Sequence, residues 1–371
     1  MRYFLAALLL AYLPFLGILI GGSTSSLVLN FLGRENRDAR SLRLSRELIE
    51  TVAGNNPLLF LASLLPFPLV AYLWQRILSV QSPLPWFSWI LPFGVLLSGC
   101  ALLSLYRSAI RRTTDLTVLQ HRAGAAGVLA ILFASFLLFV LLGILFDTGK
   151  LPLIRGNAVF LLSYKALSGF FLFLALSFGL TGGIALRHPG RLPAGTEEPD
   201  PGYPGYARSV GSSLALGGAF AVPALVVLDL ISLPSTALSL EVFAAAAAAA
   251  VLALAVVLIL ISYRGNPAGS PGGRVSILYL LLFLAFVAGE QAAVGNAFLG
   301  RQAPRKPPVP AGISEGHLPG PAEPAVEKGR TVFQDACRAC HLIENRLVGP
   351  PLKDVLSKYR GDLESLKRYI R

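Results

Sequence analysis

Eight long apolar stretches constrain the fold of this chain more than any other feature of its sequence. A helix needs about 20 apolar residues to cross the hydrocarbon core of a bilayer, and each stretch is at least that long. The sequence therefore predicts an all-α, polytopic membrane helix bundle with about eight transmembrane helices. The stretches are residues 4–32, 57–78, 84–106, 123–146, 159–186, 210–233, 238–263 and 275–299.

The charged residues agree with a membrane protein and indicate its orientation. They make up 14% of the chain, against about 25% in soluble domains, and the mean hydropathy is +0.64. The net charge of +12 comes mostly from short loops between apolar stretches, so it predicts membrane orientation instead of nucleic-acid binding. The Arg-rich loops follow the odd-numbered stretches, which places those loops in the cytoplasm and both termini outside. Their basic residues are Arg34, Arg37, Arg40, Arg43, Arg46, Arg107, Arg111, Arg112, Arg122, Arg187, Arg191, Arg208, Arg264 and Arg274.

Composition changes after the last apolar stretch and divides the chain into three parts. Residues 1–300 form the eight-span transmembrane domain. Residues 301–326 are rich in Pro and Gly, which predicts a semi-extended linker because this composition cannot continue a helix or a sheet. Residues 327–371 are polar and contain helical patterns, so we expect a small soluble domain there.

The small domain contains the motif that carries chemistry, Cys337-Arg-Ala-Cys340-His341. Cys-x-x-Cys-His is the attachment pattern of c-type haem: two thiols one helical turn apart bond the vinyl groups, and the adjacent imidazole ligates the iron. A zinc site would need further ligands, and the domain has no other Cys. A redox dithiol lacks a βαβ context. The motif predicts one covalent haem c, with His341 as its proximal iron ligand.

Residues 327–371 resemble the N-terminal half of a class I cytochrome c. A helical pattern begins at Gly329, Phe333 stands four residues before the haem motif, and Gly349-Pro350-Pro-Leu352 matches the Gly-Pro-x-Leu element of that family. The resemblance implies a small α-helical domain in which Gly349, Pro350 and Leu352 pack against the haem. It also implies a short helix over residues 352–359 and the start of another at 363–370.

The resemblance assigns the proximal side of the iron but not its distal side. It implies that the Pro350 carbonyl accepts the ring N–H of His341, which fixes the imidazole tautomer. The family places a distal Met ligand later in the sequence, and the only Met here is Met1, so we expect this cytochrome c domain to be incomplete at Arg371. Otherwise the distal ligand is unknown, with these alternatives: His317, Lys353, Lys358, a side chain of a partner, or water.

The first apolar stretch has a second interpretation, a cleaved signal peptide over residues 4–22, because Arg2 precedes the apolar run. Cleavage would leave seven spans and would place the haem motif in the cytoplasm. Since haem is attached to apocytochromes outside the cytoplasmic membrane, we expect an uncleaved first helix. The sequence thus predicts a multi-pass protein of the bacterial inner membrane, with both termini and the haem domain on the periplasmic side.

Three ionisable residues stand inside predicted spans, Lys165, Asp229 and Glu290. Insertion of such a residue costs roughly 2.5–3.5 kcal/mol, so it marks a functional hypothesis by default. The predicted topology puts all three in the outer half of the membrane. One interpretation is a quinol or proton site, in which Lys165 neutralises one carboxylate and the other accepts protons. The alternative is an ion pair that holds helices together or contacts a partner subunit.

The membrane region also resembles, faintly, subunit I of the cytochrome bd oxidase family. The likeness consists of the outside N-terminus, the long first span, the Arg-rich loop leading to Leu48-Ile49-Glu50, and the hairpin over residues 107–122. It implies a relative without the b and d haems of that family. No site residue is carried over from it.

These observations favour an electron-transfer subunit over a stand-alone oxidoreductase. We expect a mono-haem c-type cytochrome that relays electrons in a respiratory or photosynthetic complex, with membrane lipid, other membrane subunits and soluble or membrane redox proteins as partners. One alternative is a quinol:cytochrome c oxidoreductase with its quinol site in the outer half of the membrane. Another is a haem-based membrane sensor, which an open distal position would favour.

Overall fold

The computed structural model describes residues 2–53, 62–78, 87–112, 118–144, 146, 163–187, 200–265 and 271–302, together with residues 328–329, 331–334, 351 and 353–354. Most of the described residues are helical, and none of them is in a strand. Within these described ranges, nine α-helices of 13 residues or more follow one another: α1 Arg2–Glu35, α2 Ala39–Ala53, α3 Pro66–Leu78, α4 Phe87–Arg112, α5 Val118–Gly143, α6 Tyr164–Arg187, α7 Tyr203–Ser232, α8 Leu240–Gly265 and α9 Gly272–Gln302.

Seven of these helices are long and apolar enough to cross a membrane, which confirms the all-α multi-pass character that the apolar stretches predict. They are α1 and α4 to α9. The predicted span at 57–78 lies partly outside the described residues. Its described part includes α3, whose 13 residues extend for about 20 Å at 1.5 Å per residue. The spans before and after it agree in position with the predicted ones.

The chain divides into two units. The larger one comprises Met1–Ser232 and Glu241–Gln291, and α6 is the most buried of the helices long enough to span a membrane. Small residues let neighbouring helices approach α6 closely: a Cβ on Gly182 would lie 2.5 Å from the backbone of Ala215 on α7. A Cβ on Gly179 would lie 2.0 Å from the ring of Tyr279 on α9, whose hydroxyl donates a hydrogen bond to the Ala215 carbonyl at 2.5 Å. Backbone proximity at glycine therefore sets the packing of α6, α7 and α9.

Helix α2 folds back along the end of α1. The turn between them contains Arg37 with a φ of 53°, and Asp38 begins the second helix by accepting hydrogen bonds from Arg40 N at 3.0 Å and from the Ser41 hydroxyl at 2.6 Å. Ser26 and Ser45 then donate to each other's backbone carbonyls, each at 2.7 Å. The segment predicted only as an Arg-rich loop is therefore a helical hairpin over part of its length.

Side chains from α1, α2, α6 and α7 form a common apolar core beside this hairpin. Its buried members are Leu29, Leu44, Leu48, Ala185, Tyr203 and Ala207. At the surface, an exposed ion pair joins α2 to the residues just before α7, where Arg40 donates hydrogen bonds to Asp200 at 2.6 and 3.3 Å. The bond from Arg40 lowers the pKa of the Asp200 carboxyl, and the Gly202 backbone N–H adds to that effect.

The smaller unit comprises Leu233–Leu240 and Ala292–Arg371, and most of its residues lie outside the described ranges. Its described part includes a short 3₁₀ turn at Ser235–Ala237. Asn296 donates hydrogen bonds to the Ala237 carbonyl at 3.3 Å and to the Ser239 hydroxyl at 2.7 Å. The amide of Asn296 thus ties the segment before α8 to the last turns of α9 within this unit.

Candidate functional site

The structure brings Lys165, Asp229 and Glu290 together within the larger unit. Lys165 is the second residue of α6, Asp229 lies one turn before the end of α7, and Glu290 lies in the later part of α9. Because α6 and α7 pack closely and run in opposite directions, the start of one lies beside the end of the other. We name these three residues the ion cluster.

Lys165 is the centre of the ion cluster. Its ammonium donates to both oxygens of Asp229, at 2.8 Å to Oδ1 and 2.7 Å to Oδ2, and also to Oε1 of Glu290. These bonds use the three donors of an ammonium group. The lysine side chain is 5% exposed, so its charge is stabilised by the two carboxylates and not by water.

Asp229 receives further support from hydroxyl groups. Ser168 lies one turn after Lys165 and donates to Oδ1 of Asp229 at 2.8 Å. Ser232, one turn after Asp229, shares a 3.0 Å hydrogen bond with the Ser168 hydroxyl and donates to the Asp229 backbone carbonyl at 2.6 Å. Asp229 therefore accepts three hydrogen bonds from side chains on α6, which hold its carboxylate in place.

Glu290 is the most accessible member of the ion cluster. Its side chain is 24% exposed, against 12% for Asp229 and 5% for Lys165. Glu290 accepts the lysine bond through Oε1, whereas Asp229 accepts lysine bonds through both of its oxygens. An exchange of protons or a contact with a bound molecule would therefore occur most readily at Glu290.

Aromatic rings of α5, α9 and the residues after α5 lie near the ion cluster. The Lys165 ammonium lies 5.5 Å from the ring centroid of Phe146. A Cβ on Gly169 would lie 3.3 Å from the Phe139 ring and 3.8 Å from Oδ1 of Asp229, so this glycine lets α5 and α7 approach the same point of α6. Phe139 stacks on Phe286 of α9 with centroids 6.2 Å apart. These rings keep the surroundings of the charges apolar, which strengthens their mutual attraction.

Sequence reasoning missed the two serines of the site. Ser168 stands three residues after Lys165 and Ser232 three residues after Asp229, which is the spacing that puts two helical side chains on one face. That spacing was the signal that could have found them. The role of the ion cluster as a quinol or proton site stays a prediction, because its geometry also suits an ion pair that holds α6, α7 and α9 together.

The residues predicted to bind haem lie outside the described residues. They are Cys337, Cys340, His341, Gly349, Pro350 and Leu352, and the possible distal ligand His317 lies there too. Close to them, residues 331–334 are helical, and Lys353 and Asp354 are helical where the sequence predicts a short helix. Asp354 N donates to the Pro351 carbonyl at 3.0 Å, as at the start of a helical turn. Among the described residues, no three His, Cys, Asp or Glu side chains are grouped to hold a metal ion.

No protein-family model matches this sequence, and the curated proteins compared with it gave no match. Its resemblances to class I cytochrome c and to subunit I of cytochrome bd oxidase thus rest on the sequence motifs alone.

Proposed function

We propose that this protein is a membrane-anchored, mono-haem c-type cytochrome that relays electrons as a subunit of a respiratory or photosynthetic complex. The observation that carries the proposal is the Cys337-x-x-Cys340-His341 motif in a polar segment after the last membrane helix. The Arg-rich loops support a periplasmic position for this segment in a bacterial inner membrane.

The donor set of the motif fits a covalently bound haem. Two thiols at this spacing suit the two vinyl groups, and the neighbouring imidazole is a common proximal ligand of haem iron. When bound, the haem supplies one-electron oxidation and reduction at its iron. The residues of this chain would hold it: Cys337 and Cys340 by thioether bonds and His341 by ligation, with Gly349, Pro350 and Leu352 packed beside it.

The linker between the membrane domain and the motif sets how far the haem domain can travel. Residues 301–326 span up to about 80 Å if all of them adopt a polyproline-like conformation, at about 3.1 Å per residue. Such a tether keeps the domain at roughly millimolar effective concentration near a donor and an acceptor. The membrane helices would then pack against other membrane subunits and anchor one end of the linker.

The experiment that tests this function measures covalent haem and its redox activity on the full chain. The purified protein should give the reduced-minus-oxidised spectrum of a c-type haem and keep a haem stain after denaturing electrophoresis. Replacing both Cys337 and Cys340 with Ser should abolish the stain. The matched control is Cys100→Ser, which changes a buried cysteine in α4 and should leave the stain intact. An unstained parent protein would overturn the proposal.

A second function, quinol:cytochrome c oxidoreductase, is favoured by the convergence of Lys165, Asp229 and Glu290. A quinol releases two protons and two electrons when it is oxidised. Glu290 could accept one proton, and a single haem c could accept one electron. The second proton would pass to water, and the second electron to the haem of another molecule of this chain or to a partner subunit. Quinol-dependent haem reduction by the isolated chain would support a complete site in this chain. If reduction requires co-purified subunits, the electron-relay function would be the one that this chain performs.

A further inference from the structure

The charges of the ion cluster do not balance when all three groups are ionised. One ammonium faces two carboxylates, which leaves one negative charge in an apolar setting. An uncompensated charge is costly in the interior of a membrane protein. Among the described residues, the charged groups that act on Glu290 are Lys165 of α6 and Asp229 of α7. Both are already counted in this balance, so neither supplies a second positive charge.

The compensating cation must fit the space around Lys165. A sodium ion beside the ammonium would face a second positive charge and would compete with it for the same carboxylate oxygens. A proton meets neither obstacle, because it binds directly to a carboxylate oxygen. Asp229 accepts two bonds from Lys165 and one from Ser168, so its two oxygens meet three donors that suit a charged acceptor.

We propose that the ion cluster binds one exchangeable proton on Glu290, while Lys165 and Asp229 remain a fixed ion pair. Glu290 is the most exposed member and bonds to Lys165 through its Oε1, so it is the member with the freedom to gain and lose a proton. Protonation converts a carboxylate and a proton into a neutral carboxyl, which removes the excess negative charge. The site deepens the second function, since it names the group that exchanges protons: Glu290 must release its bound proton before it can take one from a quinol. Its proton binding needs neither haem nor quinol.

Proton counting by infrared spectroscopy tests this site on the full chain in lipid, kept oxidised throughout. A protonated carboxyl gives a C=O stretching band that shifts in D2O, and pH-difference spectra count such groups. The parent protein should show one exchangeable carboxyl that Glu290→Gln removes. The matched control is Glu241→Gln, which changes an exposed carboxylate in the first turn of α8 and should keep the band. Persistence of the band in Glu290→Gln would overturn the proposal.

Two further variants test the charge balance itself. Asp229→Asn should also remove the band although Glu290 is still present, because Lys165 then faces a single carboxylate. Lys165→Met should raise the count from one carboxyl to two, since no ammonium remains. An Asp229→Asn protein that keeps the Glu290 band would contradict the proposal, and so would a Lys165→Met protein with no added carboxyl.

Sodium titration at constant pH separates a proton from another monovalent cation. The carboxyl band should not change as sodium is raised, with ionic strength held constant by choline chloride. Loss of the band with sodium would mean that the ion cluster binds sodium in place of a proton. The haem stain is independent of these measurements, so failure of the proton site and failure of the relay function are distinguishable.

Discussion

Lys165→Met is the substitution that tests the ion cluster most severely. It keeps a long side chain at the start of α6 but removes the ammonium that bonds to Asp229 and Glu290. Removing one partner of a buried ion pair costs about 3–5 kcal/mol because it leaves an unpaired charge behind. We expect a loss of that size in the free energy of unfolding at pH 7.

Proton uptake limits this cost and makes it depend on pH. Converting an ordinary Asp carboxylate to its acid at pH 7 costs about 4 kcal/mol, at 1.36 kcal/mol per pH unit above an ordinary value of about 3.9. The folded variant would escape its unpaired charges by binding protons that the unfolded chain does not bind. Because the folded state then holds more protons, the stability of the variant falls as pH rises. The loss should therefore be smaller at pH 5 than at pH 8.

Reversible unfolding in mixed detergent micelles, followed by circular dichroism, measures this loss. The matched control is Lys328→Met, which makes the same change at an exposed lysine and should stay within about 0.5 kcal/mol of the parent. If Lys165→Met lowers the free energy of unfolding no more than Lys328→Met does, the ion cluster does not stabilise the fold as described. A loss that does not change between pH 5 and pH 8 would contradict the expected proton uptake.

Two further predictions concern packing and the surface. Gly179→Ala should cost about 1–3 kcal/mol in the free energy of unfolding because the new methyl meets the Tyr279 ring, whereas Gly217→Ala, with open space at its Cβ, should be neutral or slightly stabilising. The bond from Arg40 lowers the pKa of Asp200, so its contribution is present above about pH 4 and is lost as pH falls through the lowered value. The melting temperature of Asp200→Asn should therefore differ from that of the parent at pH 6, converge with it once pH falls below the lowered pKa of Asp200, and differ less in high salt.

Hydropathy was enough to predict seven of the spans, but not the path of the chain between them. Residues 159–186 were predicted as a span, and α6 occupies Tyr164–Arg187. The Arg content of the segment after the first span predicts a cytoplasmic loop. The apolar repeat of Leu44, Leu48 and Val52 in the same segment indicates the helix that the structure shows there, α2. That repeat shows its helical nature, whereas its position against α1 depends on packing that no local pattern specifies.

The members of the ion cluster were predictable, and their bonds were not. Charged residues inside apolar spans stand out in a sequence because insertion is costly. Which carboxylate takes two bonds from Lys165 depends on how the small residues of α6 bring α7 and α9 close to it. Pairing between helices is a property of the packed bundle, so the distinction between Asp229 and Glu290 needed the structure.

The central claim is that this membrane protein carries one covalent haem. Mass spectrometry of the full chain tests it most directly, after expression in a bacterium that matures c-type cytochromes. The parent and Cys100→Ser should carry the added mass of one haem, located on the peptide that contains Cys337 and Cys340. The double variant of Cys337 and Cys340 to Ser should have only the mass of the polypeptide. A parent protein without the added mass under these conditions would contradict the account.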